Sequence, residues 1–282
     1  LTSITIPSTV TSIGSYAFAG TQLASVTMPS GLVSIDQGAF SNARLTSISL
    51  GASLTTIGQS AFAGNSGLSS YSVTGNPNFS TVDDVLFNGN GTTLIAYPPG
   101  ASRTYSIPSG VTTIGAGAFA GTSVQSVTIP STVTSIGTQA FSGASSLTSI
   151  TIPASVTTIG PEAFRESGLT SFTIPSTVTS LGYGVFFFAR QLATVVWEPG
   201  LSSVPSNLFW NSGLTSINIP STVTSIEGFA FADTPLTSVT MPSGLVSIGQ
   251  NAFSNARLTS ISLGASLLSL IHISEPTRLL SI

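Results

Sequence analysis

Leu1-Thr2-Ser3-Ile4-Thr5-Ile6-Pro7-Ser8-Thr9-Val10-Thr11-Ser12-Ile13-Gly14-Ser15-Tyr16-Ala17-Phe18 opens the chain. The same phrase returns from Leu23, Leu45, Val124, Leu147, Leu169, Leu192, Leu214, Leu236 and Leu258. A recurrence of roughly 22 residues marks a winding chain in which each turn stacks on the last. Within the phrase, apolar positions 4 and 6 alternate with polar 3 and 5, the period of a half-buried strand. Pro at position 7 has no N–H to donate and ends that strand. Positions 10 and 13 point a second short segment inward. Gly at 14 is expected to permit a turn that a side chain would resist. Ala17 and Phe18 then fall in a turn or a single helical turn before the next Leu. One winding cannot bury its apolar face alone, but about a dozen stacked windings can.

Phe is the clearest marker of the repeat. One is expected per winding: Phe18, Phe40, Phe62, Phe87, Phe119, Phe141, Phe164, Phe186, Phe209, Phe231 and Phe253. Stacking would place these rings in a column inside the core, each worth roughly 1.5–3 kcal/mol of burial. Neighbouring windings would lie about 4.8 Å apart, the separation of paired strands.

The pattern L-x-x-I-x-I-P-x-x-V-x-x-I-G-x-x-A-F resembles the BspA-type leucine-rich repeats of microbial surface proteins, over residues 1–267. That resemblance implies a β-rich solenoid, a right-handed coil of short parallel strands and short helical or turn segments. The irregular stretch 68–105 is similar to a segment with which the family interrupts its coils. It carries Asn76-Pro77-Asn78-Phe79-Ser80, then Val82-Asp83-Asp84-Val85-Leu86-Phe87, then Leu94-Ile95-Ala96-Tyr97-Pro98. Asp84 stands where the family usually has Gly, and Asn88-Gly89-Asn90-Gly91 replaces a basic turn. Residues 85–87 and 94–97 read as a β-hairpin around that Gly-Asn turn. Relatives are secreted or surface-displayed and several act in adherence, so the resemblance implies an extracellular or cell-surface scaffold.

Composition excludes most chemistry. Charged residues are only 5% of the 282, Lys is absent, and the net charge is −3. Such a chain has no electrostatic footprint for nucleic acid or an anionic membrane, and no apolar run is long enough to insert as a membrane helix. Without Cys there is no disulfide framework, thiolate metal site or Cys nucleophile. The only histidine is His272. Residues 268–282 read as translated sequencing adapter continuing past the gene, so His272, Glu275 and Arg278 are set aside. A gene recovered incomplete at both ends also fits a chain that starts inside a repeat. The same junction shows in a duplication: residues 23–54 and 236–267 differ only at Ala24/Thr237, Asp36/Gly249 and Gly38/Asn251. After Leu267 the second copy departs from the repeat.

With those residues set aside, neither Ser-His-Asp nor Cys-His nucleophilic sites can form, and a zinc site lacks its usual ligands. The carboxylates give no facing pair of the glycosidase kind. Asp83 and Asp84, if on a strand, would point to opposite faces. Glu162 and Glu166, with Arg165 between them, read as a solvated rim. Calcium at Asp83, Asp84 and Asn90 is a minor alternative to plain turn chemistry. No enzyme activity, cofactor or metal is expected. Asn78-Phe-Ser and Asn90-Gly-Thr are glycosylation sequons only in a eukaryotic secretory pathway.

Two surfaces are candidates for binding. Positions 3 and 5 stack Ser and Thr into columns, Thr128, Thr151 and Thr173 among them, forming a nearly uncharged hydroxyl lattice. It reads as plain solvation of a sheet face, or as a surface for protein, glycan or ice. The second candidate is aromatic. Phe187, Phe188 and Trp210 follow the repeating Phe without being demanded by it, in a cluster with Tyr183, Val196, Trp197 and Phe229. Trp197 occupies core position 6 and is expected inward, and repacking around it is the plainer reading of the cluster. Exposed aromatics are common interface anchors. The function expected is a non-catalytic adhesion or protein-binding scaffold with a protein or glycan ligand on a host, matrix or neighbouring cell. Alternatives are an ice- or carbohydrate-binding face, or a structural spacer.

Overall fold

A computed structural model describes residues 2–262 and 269–270. The chain winds as a parallel β-solenoid of about 12 turns. Most turns donate two short strands to two ladders, and partners are offset by one repeat: Ser3↔Ser25, Ser12↔Ser34, Ser216↔Ser238. The wider ladder runs unbroken only from Ser171–Ile174 through Thr194–Trp197, Ser216–Asn218 and Ser238–Thr240 to Ser260–Ser262. Pro follows directly after Ser171–Ile174, where the missing N–H stops the pairing. Position 13 supplies the buried residue of the second ladder: Ile13, Ile35, Ile114, Ile136, Ile159 and Ile226.

The Phe column forms as two stacks, one of Phe18, Phe40 and Phe62 and one from Phe119 to Phe253, and Tyr97 heads the second. Ring centroids of Phe119 and Phe141 lie 4.8 Å apart at 7°, and those of Phe141 and Phe164 lie 5.2 Å apart at 6°. The stack continues through Phe186, Phe209 and Phe231 to Phe253. Phe87 does not stand in the column. Tyr97 takes that place, stacked 5.1 Å from Phe119, and its N–H donates to Ala118 O just as that of Phe18 donates to Ala39 O.

The interrupted stretch explains the exchange. The expected hairpin is present as Val85–Asn88 antiparallel to Thr93–Ala96. A third strand, Phe79–Val82, pairs antiparallel with the first, making a meander. Asp83 and Asp84 are not strand residues: with φ of 49° and 65° they form the two-residue turn between strands. Val85–Asn88 is buried on both faces. Val85 and Phe87 join the core of the later turns, whereas Leu86 joins that of the first turns, with Phe79. The strand is thus a partition between two halves of the core, and Phe87 is spent on that role.

The repeating glycine also has a different reason from the one expected. Gly160 and Gly137 lack the positive φ that only glycine favours. A Cβ on Gly160 would lie 2.6 Å from Thr138 N, and one on Gly137 2.7 Å from Ala116 N. The side chain is excluded by the backbone of the preceding turn. The boundary at 268 falls almost wholly outside the described residues. Ser269–Leu270 pairs parallel with Ser247–Ile248, as one more repeat would.

Candidate functional site

The segment around each repeating Phe is built from overlapping tight turns. N–H groups of the Phe and of the residues two before and two after it donate to the next winding: Tyr16 to Gln37 O, Phe18 to Ala39 O, Gly20 to Ser41 O. To aim these donors the same way, the two flanking residues adopt left-handed backbone. The pairs are Tyr16/Gly20, Gly38/Asn42, Ser60/Gly64, Gly117/Gly121, Gln139/Gly143, Glu162/Glu166, Gly184/Phe188, Asn207/Asn211, Phe229/Asp233 and Asn251/Asn255. Gly and Asn dominate, as left-handed geometry demands. The Gly38/Asn251 difference between the duplicated stretches is an exchange within this slot.

Tyr16 (φ 59°), Ser60, Gln139, Glu162, Glu166 and Asp233 depart from that preference, and so do Phe188 and Phe229, at φ of 56° and 57°. A bulky residue there is a genuine outlier and costs about 1–2 kcal/mol. Both Phe rings belong to an outer ribbon. Phe187 lies 4.2 Å from Phe188 and 5.0 Å from Trp210, centroid to centroid, and Trp210 stacks on Phe229 at 5.4 Å and 26°. All four are half-buried, and Tyr183 nearby is 51% exposed. Trp197 is inward, as expected, with its ring edge-on to Phe209 at 6.4 Å. The outer rings stack on one another, and the ring contact of Trp197 is with Phe209.

Polar groups frame the ribbon. Arg165 sits 5.3 Å from the centroid of Phe187, and Arg190 sits 5.5 Å from that of Phe188. Arg165 also donates to Glu162 at 3.3 Å and Glu166 at 2.9 Å, so these carboxylates are the rim of the ribbon. At the other end Trp210 Nε1 donates to Asp233 at 2.7 Å, and Asn255 donates to the other carboxylate oxygen at 2.8 Å. Each cation over a ring contributes about 0.5–1 kcal/mol at such exposure. The rings are held by contacts of this kind while a minor part of their surface stays in water.

The hydroxyl columns are less regular than their sequence suggests. Thr128, Thr151 and Thr173 are all exposed. Thr128 pairs across the ladder with Ser106, and Thr173 with Val196, which is 60% exposed. Thr151 belongs to no strand, and the ladder is broken at its winding. Regular strand pairing therefore does not run through the three. At the interrupted stretch, Asn78 and Asn90 are exposed, and Asn90 Oδ1 accepts from Thr92 Oγ1 at 2.7 Å, as turn chemistry requires. Among the described residues no three potential metal-ligating side chains come together, and no helix is long and apolar enough to cross a membrane. Tyr105, in a groove with Asp83 and Asp84, has its phenol pKa pushed up by burial and then by Asp83.

Fold and turn geometry together define a leucine-rich-repeat solenoid. The profile of the BspA type leucine rich repeat region, six copies long, matches residues 1–105, 96–215 and 202–272, and the chain belongs to that family. A leucine-rich repeat protein from Eubacterium ventriosum is similar at 27% identity and a TM-score of 0.71, over all of this chain and 79% of that one. One from Bacteroides ovatus shares the fold at 22% identity and 0.54, over 96% and 74% of the two chains. The pneumococcal vaccine antigen PcpA does so at 23% and 0.51, over 88% and 74%. No curated protein sequence matches the chain.

Proposed function

We propose that the chain is a non-catalytic scaffold, secreted or displayed on a cell surface, that uses the aromatic ribbon to adhere to a ligand on a host, matrix or neighbouring cell. One observation carries this reading: two Phe residues occupy left-handed slots that Gly or Asn would fill at lower cost, and their rings line the outside. Strain at an observed outlier points to function rather than fold. Half-buried Trp and Phe beside Arg have the composition of interface anchors. The broken Thr columns are the weaker candidate, because Thr151 lies outside the ladder and Val196 follows Thr173 in register.

Adherence of chain-coated beads to a layer of fixed epithelial cells tests the reading. Trp210→Ala and Phe187→Ala should each reduce adherence at least tenfold, the loss of a central anchor, while leaving the circular dichroism spectrum intact. Adherence equal to that of the parent would overturn it.

A further inference from the structure

Two grooves border the ribbon, and they repeat the same ingredients. The first is lined by Ser145, Glu166, Ser167, Phe188, Arg190 and Gln191. The second, across Arg190, is lined by Asn211, Ser212, Asp233, Asn255 and Arg257. Their centres lie about two to three windings apart, roughly 10–14 Å at the strand spacing. We infer that these grooves take a neutral, extended oligosaccharide, with Arg190 shared between two of its segments and Phe188 stacked under a sugar ring. This rests on the reading that the ribbon is a binding surface, and it assigns that surface a class of ligand.

Four features favour a sugar over a protein. First, the polar lining is made of planar groups, namely carboxylate, amide and guanidinium, which hydrogen-bond in pairs. Adjacent sugar hydroxyls both donate and accept and match such pairs, while the C–H face of a sugar lies flat on an aromatic ring. Second, the charges cancel across the two grooves taken together, Glu166 and Asp233 against the shared Arg190 and Arg257, which disfavours a strongly charged ligand. Third, the lining recurs along the solenoid at about the length of a disaccharide or trisaccharide, as a polymer of like units requires.

The fourth feature is a pair of hydroxyls. Three residues after the repeating Phe, Thr122 and Thr234 donate to the carbonyl of Phe119 at 2.9 Å and Phe231 at 2.7 Å. Ser167 and Ser212 occupy the same slot in the windings that form the grooves. Both residues are buried, at 4% and 3% exposure, and their hydroxyls have no hydrogen-bond partner among the described residues. Each lines its groove, so a rotation about Cα–Cβ would offer it to a ligand. Buried polar groups without partners are uncommon and call for a reason.

The experiment compares adherence of chain-coated beads to fixed epithelial layers, native or oxidised with periodate, which cleaves vicinal diols of sugars and spares the polypeptide backbone. Parent beads should lose at least tenfold on oxidised layers, and Arg190→Ala and Phe188→Gly should lose as much on native ones. Adherence that survives oxidation but is lost in Trp210→Ala would overturn the sugar and leave the ribbon standing as a protein-binding surface. Adherence that ignores every ribbon variant, or is missing from the parent, would overturn both.

Discussion

Asn65 ties two windings together, and its removal has a calculable effect. The residue is fully buried. Its Oδ1 accepts from Leu45 N at 2.8 Å, and its Nδ2 donates to Phe40 O and Phe62 O, each at 2.8 Å. In Asn65→Ala, Phe40 O keeps a second donor in Ala43 N. Leu45 N and Phe62 O lose their side-chain partner. At about 1–3 kcal/mol for each buried orphan, the substitution should cost about 2–6 kcal/mol. Asn65→Thr should cost about half as much, because a Thr in this slot bonds the Phe carbonyl, as Thr122 does. Solenoids need not unfold in one step, so two readouts are needed: urea denaturation followed by circular dichroism, and hydrogen exchange of the Leu45 amide. Both variants should expose that amide to faster exchange, and only Asn65→Ala should also lower the first unfolding midpoint strongly. An Asn65→Ala protein with parental midpoint and parental Leu45 protection would refute the reasoning.

Other expectations follow from the same packing. Phe141→Ala, in the middle of the ring column, should cost about 3–5 kcal/mol in denaturant titrations. Gly160→Ala should destabilise by about 1–3 kcal/mol because its Cβ meets Thr138 N, whereas Gly14→Ala, with no atom within 4 Å of its Cβ, should be neutral or slightly stabilising. Burial holds the phenols of Tyr71 and Tyr105 above their ordinary pKa. Their unfolded forms ionise near pH 10 while the folded ones stay protonated. Stability from these groups is thus intact below about pH 10 and falls above it, which thermal melts between pH 8 and 11 would show.

Repetition made the stacking legible: the apolar positions of Leu1 to Phe18 return nine times, and the ladders pair most of them as expected. Trp197 could be turned inward because it stands at position 6. The exchange of Phe87 for Tyr97 was not legible, because Val85-Leu86-Phe87 is apolar throughout and its split between two core halves depends on a third strand that periodicity does not announce. The role of glycine at position 14 was hidden for a related reason. A close approach between windings leaves no trace in local sequence and looks the same as a turn. The left-handed pair flanking each Phe did leave a trace, the recurrence of Gly and Asn two positions to either side. Against that background Tyr16, Phe188 and Phe229 are the aromatic exceptions, and the two Phe rings are the ones in the outer ribbon. Asn65, Ser167 and Ser212 share a column with three Thr residues, and only coordinates distinguish which of them find partners.

The double variant Phe188→Gly, Phe229→Asn tests most directly whether the outer rings serve the surface rather than the fold. Relief of left-handed strain, about 1–2 kcal/mol per residue, should offset the loss of ring stacking, about 0.5–1.5 kcal/mol per contact. The unfolding free energy should therefore stay within about 1–2 kcal/mol of the parent while adherence disappears. A loss on the scale of a core Phe, about 3–5 kcal/mol for each ring, with adherence retained, would contradict it.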